Sequence, residues 1–459
     1  MGPADDRSGP ARRLFGTDGV RGVANTEPMT CETALRLGRA VAQRCRSNDD
    51  RRHRIVIGRD TRLSGGMLEG ALAAGICSAG VDVLLAGVLP TPGVAFLTRR
   101  MQASAGAVIS ASHNPFEDNG IKFFAATGFK LPDEDEQRIE SAVASDRADD
   151  RRPTAAQVGR VTSLPDAAAR YAEFLATRCP PTLDGLVVAI DCGHGAAYRV
   201  GPDVFRRLGA EVVALGVDPD GTNINRDCGA LHVGQLQETV RQRQAHIGIA
   251  LDGDADRIIV VDEHGAVADG DELLAMLAGA MLARGTLRHA TVVGTVMSNM
   301  GLEVALRAQG VRLVRTAVGD RYVVEEMRRH DYNLGGESSG HLILLDQSTT
   351  GDGLLAGLAV VRLMMEHHRP VSELRKAMSK FPQQLINVRV KEKRDLDGVP
   401  AVRQTIERIV AQLNERGRVL VRYSGTEPVV RVMVEGEDAA QVRAYAAEIA
   451  AAIRTHVAA

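Results

Sequence analysis

The chain has 459 residues, more than one ordinary hydrophobic core supports, so about three or four domains are expected. Hydrophobic residues at 44%, charged residues at 25% and a formal net charge of -2 fit a globular protein and argue against disorder and against a polyanion-binding surface. Aromatics at 3% and the absence of Trp leave few stacking platforms for single-stranded nucleic acid, so nucleic acid is not an expected partner and any anion site must be local.

The opening segment, MGPADDRSGPARR, lacks the apolar core of a signal peptide, and no uninterrupted apolar run reaches about 18 residues, so no membrane association is expected. Cys31, Cys45, Cys77, Cys179, Cys192 and Cys228 are scattered, with no CxxC pair and no zinc-ligand spacing. They read as reduced thiols of a cytoplasmic protein. A strand-like run at Arg54 to Gly58, a helix-like stretch from Met67 to Ala79 and a second run opening on Gly80 form one unit. The order returns at Val187 to Asp191, Asp203 to Leu208 and Gly209, and again at Thr291 to Thr295, Leu302 to Ala308 and Gly310. Strands alternating with Gly-closed helices indicate βαβ units. The fold class expected is α/β: three tandem related domains with mainly parallel mixed sheets (1–160, 161–262, 263–378), then a smaller α+β domain (379–459), around one central cleft. One large sheet with coincidental local similarity is the competing reading.

Each unit is followed by a strand-like run ending in a polar cluster. Ala105 to Ala111 leads into Ser112-His113-Asn114-Pro115, His246 to Leu251 into Asp252-Gly-Asp-Ala-Asp-Arg257, and Asp331 to Leu334 into Gly335-Gly-Glu-Ser-Ser-Gly-His341. Ligands of open parallel sheets sit beyond the carboxyl ends of strands, so related domains can aim all three clusters at one cleft. An extended segment places Asp252, Asp254 and Asp256 on one side. Two carboxylates about 4 Å apart repel by roughly 4 kcal/mol at an effective dielectric near 20, so this grouping needs a cation. An EF-hand, counted from Asp252 to Glu263, is opposed by Arg257 at the position that needs Gly and by the strand-like Ile258 to Asp262. Three hard oxygen ligands suit magnesium, which keeps room for a phosphate oxygen.

Ser112 occupies an Asn-Pro turn, where an exposed hydroxyl is expected, with His113 beside it and Lys122 ten positions on. Taken alone, a turn serine is more often structural. A second serine, Ser338 in Gly336-Glu-Ser-Ser-Gly340, satisfies the nucleophile-elbow spacing of serine hydrolases, but a strand-like run follows where a helix is required. Gly193-His-Gly195 lacks the third Gly of a dinucleotide fingerprint. Near the end, Arg422-Tyr-Ser424-Gly425-Thr426-Glu-Pro joins two apolar runs, the second carrying Arg431. A Gly-containing turn with hydroxyls and Arg suits a phosphate. Metal loop, serine and phosphate loop together point to phosphoryl transfer.

Six motifs in one order resemble the α-D-phosphohexomutases: Leu14-Phe-Gly-Thr-Asp-Gly-Val-Arg21-Gly, Gly58-Arg-Asp-Thr-Arg, Ile109-Ser-Ala-Ser112-His-Asn-Pro, Asp252 to Arg257, Gly336 to His341 and Arg422 to Pro428. The opening motif and the Ile-Ser-Ala-Ser-His-Asn-Pro form point to the glucosamine branch. The resemblance implies four domains around one cleft, the fourth mobile. It makes Ser112 a phosphoserine whose phosphate joins Asp252, Asp254 and Asp256 around one Mg2+ per subunit. Arg21, His113, Lys122 and Arg257 then surround the transferring phosphoryl group. Glu337 and Ser339 bind sugar hydroxyls, while Arg422, Ser424, Gly425, Thr426 and Arg431 hold the other phosphate.

The implied activity interconverts glucosamine 6-phosphate and glucosamine 1-phosphate through a bisphosphate, feeding amino-sugar nucleotide synthesis for cell-wall precursors. Either Lys122 or His113 serves as acid or base. Glucosamine or glucose 1,6-bisphosphate, a kinase or autophosphorylation primes the serine, and a homodimer is implied by resemblance alone. Ser338 stands where relatives often have Gln or Met, and Gly193-His194 where Ala-Asn is common. The first departure touches sugar specificity. The alternatives are a phosphoglucomutase or phosphomannomutase of the same superfamily, a serine hydrolase using Ser338, and a calcium-binding module without turnover.

Overall fold

The computed structural model of the chain describes residues 14–16, 18–46, 52–145, 152–179, 182–391, 394–423 and 428–457. The chain divides into two compact bodies: Met1–Val296 with Val314–Arg375, and Met297–Leu313 with Lys376–Ala459. Among the described residues, no helix is long and apolar enough to cross a membrane.

The larger body repeats one strand order. Strands β1 (Val20–Val23), β2 (Arg54–Arg59), β3 (Asp82–Val88), β4 (Ala105–Ile109), β5 (Asp118–Ala125) and β6 (Val161–Ser163) form a sheet in the order β1-β5-β4-β2-β3-β6. Strands β7 (Val187–Asp191), β8 (Glu211–Leu215), β9 (Ile247–Leu251), β10 (Ile258–Asp262) and β11 (Val267–Ala268) follow as β11-β10-β9-β7-β8. A third sheet, β13-β12-β14-β15, is built from β12 (Thr291–Thr295), β13 (Arg312–Thr316), β14 (Leu334–Gly336) and β15 (Leu342–Leu344). In the first two sheets β4-β2-β3 and β9-β7-β8 are parallel, and β5 and β10 turn back antiparallel. In the third, β14 is parallel to β12 and antiparallel to β15. The expected α/β fold with mixed, mainly parallel sheets is what the chain adopts. The three polar clusters occupy equivalent connections: β4 to β5, β9 to β10, and β14 to β15.

Local chemistry explains the framework. Strands β4 and β9 are buried along their whole length, so they read as continuous apolar runs rather than alternating ones. The helices Cys31–Arg46 and Gly65–Ser78 touch backbone to backbone, because a Cβ at Gly75 would lie 2.1 Å from the Leu35 carbonyl oxygen and one at Gly38 2.3 Å from that of Leu72. Helix Gly270–Ala283 starts with a reciprocal capping box between Asp269 and Glu272. Helix Gly353–His367 is capped by Asp352, which accepts the Leu355 N–H at 2.9 Å and the Tyr171 hydroxyl at 2.8 Å. Tyr171 lies on helix Ala167–Ala176, so this buried bond ties elements 181 residues apart.

In the smaller body, β16 (Gln383–Arg389), β17 (Gly417–Tyr423) and β18 (Val429–Gly436) form an antiparallel sheet, β16-β18-β17. Helices Pro400–Leu413 and Ala439–His456 share its core, which includes Val402, Val430, Val432, Ile449 and Ile453. Helix Met300–Ala308 belongs to this body. Its first N–H donates to Glu435 at 3.0 Å, and Asn299 exchanges bonds with Phe381 at 2.9 and 3.0 Å.

Burial raises the Asp352 carboxyl to about 6, against the lowering effect of its hydrogen bonds. A carboxyl whose folded value exceeds its unfolded one binds its proton more tightly when folded. Its contribution is therefore greatest below about pH 4 and is lost as pH rises through about 6. Asp352→Asn keeps the cap and should flatten the dependence of urea midpoint on pH between those values, whereas an unchanged slope would contradict the assignment. Tyr171→Phe should cost about 1–3 kcal/mol at neutral pH, since it leaves a buried carboxylate oxygen short of a donor.

Candidate phosphoryl-transfer site

Asp252, Asp254 and Asp256 follow β9, are buried, and bring carboxylate oxygens within 4.8 Å of one another. The segment is a tight turn rather than the extended run that its alternation suggests, with Ala255 at φ 56°. Fixed amides hold its carbonyls: Ala255 N–H to Asp252, Ala196 N–H to Gly253, Thr91 N–H to Asp254 and Gly353 N–H to Ala255, all at 2.8 to 3.0 Å. A Cβ at Gly253 would sit 2.5 Å from the Ser112 carbonyl oxygen, so only Gly lets the two loops meet. With the backbone pinned, the carboxylates converge.

Their electrostatics are unbalanced. Lys122 Nζ lies 2.9 Å from Asp254 Oδ2, 3.0 Å from Asp18 Oδ2 and 3.6 Å from Asp256 Oδ2, and the Thr91 hydroxyl donates to Asp254 Oδ2 at 2.6 Å. Burial, then Asp256 and Asp254, push the Asp252 carboxyl far above its ordinary range. Asp254 Oδ1 and Asp256 Oδ1 are buried without a hydrogen-bond partner. Three crowded hard-oxygen donors, two with unsatisfied atoms, fit a hard divalent cation. The EF-hand alternative fails, since β10 begins at Ile258 and Glu263 accepts bonds from Ser372 instead.

Ser112 Oγ donates to Asp252 Oδ2 at 2.6 Å. The expectation of an exposed hydroxyl is corrected: Ser112 is 1% exposed, because the aspartate turn of the second repeat covers it. Ser112 also takes φ 54°, the left-handed region that favours Gly. Its surroundings hold that conformation. Arg62 and Asn225 each bind the carbonyls of both Ser112 and Asn114, at 2.6 to 3.1 Å, and the Ser112 N–H donates to Ser110 Oγ at 2.9 Å. Arg62 is itself fully buried against Asp60.

The predicted neighbours of Ser112 gather here. His113 Nδ1 is 3.4 Å from Ser112 Oγ, and burial, Arg257 and Arg21 lower its imidazole to about 4, so it is neutral at physiological pH. Lys122 behaves oppositely. Burial lowers it, but Asp18, Asp254 and Asp256 outweigh burial and hold it well above the ordinary lysine range. Arg21 donates to the Ala111 carbonyl at 3.2 Å and pairs with Asp18, while Arg257 Nε is 3.9 Å from Asp256 Oδ1. Sequence reasoning missed Asp18, Thr91, Lys130 and His341 as participants. Asp18 and His341 stand inside quoted motifs and were readable. His341 Nδ1 is 3.6 Å from Asp256 Oδ1, and Nε2 accepts the Gly351 N–H at 3.1 Å. Burial lowers this imidazole, whereas Asp256 and Asp320 lift it to about 9. The Gly351 N–H aimed at Nε2 requires a lone pair there and opposes that lift, so geometry places the single proton on Nδ1, facing Asp256.

Glu337 and Ser339 lie in the β14–β15 hairpin. Glu337 is half-buried and accepts the Gly319 N–H at 3.0 Å; Ser339 is exposed. Ser338 therefore sits between two antiparallel strands, which removes the strand-to-helix elbow a serine hydrolase needs. In the smaller body, Arg422 and Arg431 are directly opposite on β17 and β18, and burial together with Arg431 lowers Arg422. Ser424, Gly425 and Thr426 lie outside the described residues.

Comparison with known proteins accounts for nearly the whole chain. Family models of phosphoglucomutase/phosphomannomutase match residues 12–150 (alpha/beta/alpha domain I), 169–265 (domain II), 269–381 (domain III) and 385–452 (C-terminal domain). A phosphoglucosamine mutase of Pelobacter propionicus is 56% identical, covering 97% of this chain and 99% of that protein. One from Anaeromyxobacter dehalogenans is 58% identical, with 97% and 99% coverage. Among solved structures, a phosphoglucomutase/phosphomannomutase family protein of Burkholderia thailandensis gives a TM-score of 0.80 at 25% identity, covering 96% of this chain and 97% of that one. An N-acetylphosphoglucosamine mutase of Aspergillus fumigatus, solved with GlcNAc-6P and magnesium, shares the fold at TM-score 0.66 and 16% identity, with 96% and 95% coverage. The chain belongs to the phosphoglucosamine mutase family of the α-D-phosphohexomutase superfamily.

Proposed function

We infer that the chain interconverts D-glucosamine 6-phosphate and α-D-glucosamine 1-phosphate, an isomerisation by phosphoryl transfer. The observation that carries this reading is the 2.6 Å bond from Ser112 Oγ to one of three clustered, buried aspartates. A phosphoryl group on Oγ removes the proton used in that bond, and Asp252 then needs a cation as its partner. Asp252, Asp254 and Asp256, with the seryl phosphate, would hold one Mg2+, which would supply charge neutralisation for the transfer.

The protein's own groups do the rest. Ser112 Oγ gives its phosphoryl to one end of the sugar monophosphate and later takes back the phosphate from the other end of the bisphosphate. Arg21, Lys122 and Arg257, which pair with Asp18 or with the aspartate turn, are assigned to the transferring phosphoryl group, and positioning plus charge account for most of the catalysis in such reactions. Lys122 and His113 are the two candidates for acid and base at the sugar hydroxyl. Glu337 and Ser339 are assigned to sugar hydroxyls, and Arg422, Ser424, Gly425, Thr426 and Arg431 to the phosphate that is not being transferred. The division 1–160, 161–262, 263–378 and 379–459, a cytoplasmic location, a homodimer, and priming by a kinase, by autophosphorylation or by glucosamine or glucose 1,6-bisphosphate belong to the same proposal. The names of the most similar relatives support the glucosamine substrate. Glucose and mannose phosphates define the runner-up within the superfamily.

Intact-mass and phosphopeptide analysis should find phosphate on Ser112 that disappears when sugar monophosphate is added without bisphosphate, and Ser112→Ala should reduce kcat by about 10³-fold or more. A fully active enzyme that is never phosphorylated would sink the mechanism. Chelation should abolish turnover and Mg2+ restore it, with Asp254→Asn costing about 10²–10³-fold, the scale of removing one preorganised electrostatic group. Parallel kcat/KM values on glucosamine, glucose and mannose 6-phosphates should rank glucosamine first; if it ranks last, the substrate assignment falls and the mutase class stands.

A further inference from the structure

We propose that Lys130 and Asp320 are positioning residues for phosphoryl transfer at Ser112, acting through Asp18. The assignment rests on the mutase reading above. Lys130 follows the turn after β5, where it bridges to Phe124. Its Nζ binds Asp18 Oδ1 and lies 2.9 and 2.7 Å from the two carboxylate oxygens of Asp320, the first residue of helix Asp320–Arg329 in the third repeat. Asp18 turns its other oxygen to Lys122 and also pairs with Arg21. Asp320 Oδ2 faces His341 Nε2 at 3.4 Å, His341 Nδ1 faces Asp256, and Asp256 Oδ2 faces Lys122. Favourable pairing therefore runs in one line through Asp320, Lys130, Asp18, Lys122, Asp256 and His341, whose Nε2 edge lies beside Asp320.

Three members of that chain of contacts, Asp18, Lys130 and Asp320, touch neither Ser112 nor the aspartate triad among the described contacts, and Lys130 and Asp320 also do not touch Lys122. Their side chains are 14% and 12% exposed. Burial of a lysine and an aspartate is costly unless they are paired, and the pairing here does more than neutralise them. Among the described ion pairs, Lys122 has three carboxylate partners: Asp254, Asp256 and Asp18. A cation on the triad competes for the first two. Asp18 is then the carboxylate left to fix the Lys122 ammonium and the Arg21 guanidinium together, and Lys130 with Asp320 fixes Asp18. The Lys130–Asp320 pair also joins the third repeat, which carries the sugar hairpin, to the first, which carries Ser112.

The test uses the full-length enzyme with Lys130→Met, Asp320→Asn, the double variant and the charge-conserving Lys130→Arg. Each single loss should lower kcat on glucosamine 6-phosphate by about 10- to 100-fold, the usual scale for residues that orient a first layer of ligands. KM should stay within about twofold, as expected for an interaction expressed in the transition state. The double variant should be no worse than the poorer single one, because both remove one linkage. Lys130→Arg should recover most of the rate. Mg2+ affinity by calorimetry should not change, since the triad is untouched. A folded Lys130→Met with wild-type kcat, a raised KM at unchanged kcat, or multiplicative losses in the double variant would each overturn the assignment. If Lys130→Met shows no thermal transition, Asp320→Asn, which preserves shape, decides by the same criteria. Wild-type enzyme that fails to turn over glucosamine 6-phosphate would instead remove the mutase reading, so the two failures are distinguishable.

Discussion

Three carboxylates crowded into one dry turn repel one another, and the surrounding structure is organised by that repulsion. Asp252, Asp254 and Asp256 are buried, and two of their oxygens have no hydrogen-bond partner. At an effective dielectric near 20, each like-charged pair about 4 Å apart costs roughly 4 kcal/mol, which the fold meets in part with Lys122 beside Asp254 and Asp256 and in part by raising the Asp252 carboxyl. The fold can hold such a turn only because its backbone is satisfied independently. Amides from the segments at Thr91, Ala196 and Gly353 take its carbonyls, so the side chains cannot relax by turning the loop over. What remains is a demand for positive charge at one point, and that point is where the Ser112 hydroxyl lies.

The serine is held under a complementary constraint. A left-handed φ at a residue with a Cβ is costly, of order 1 kcal/mol or more, and persists only when the surroundings over-determine it. Arg62 and Asn225 do so by gripping the Ser112 and Asn114 carbonyls from two different repeats. Arg62 is fully buried, so its own charge is kept tolerable by Asp60. The serine is thus presented to the triad by groups that do not react. Use of the same strand-to-strand connection in each repeat explains how loops about 140 residues apart in sequence come to abut: the sheets place them at equivalent ends, and the absence of a side chain at Gly253 permits final contact.

Much of this was legible in the sequence, for identifiable reasons. The continuous apolar runs of β4 and β9 are the signature of strands buried on both faces, and each ends abruptly in polar residues, so both strands and the clusters beyond them could be read. The alternating aspartates announced a cation by charge alone. Their geometry was not legible, because Ala255 in the left-handed region makes a turn where alternation suggested extension. Burial of Ser112 was hidden too, since the covering loop comes from another repeat. Lys130 has no local pattern at all: its meaning comes from Asp18, 112 positions away, and Asp320, 190 positions away. Likewise, nothing local shows that the segment Met297–Leu313 packs with the C-terminal body, because the deciding contacts of Asn299 and Met300 are with Phe381 and Glu435.

The smaller body obeys the same electrostatic rule with its sign reversed. Arg422 and Arg431 face each other across β17 and β18, and like charges directly opposite on a ladder destabilise it. Burial and the neighbouring cation already depress Arg422. An anion between guanidinium groups turns that cost into a pair of charge-assisted bonds, as a cation does for the aspartates. The larger body thus concentrates negative charge at the aspartate turn and the smaller body positive charge on its sheet, each a separate consequence of where its own backbone places like residues.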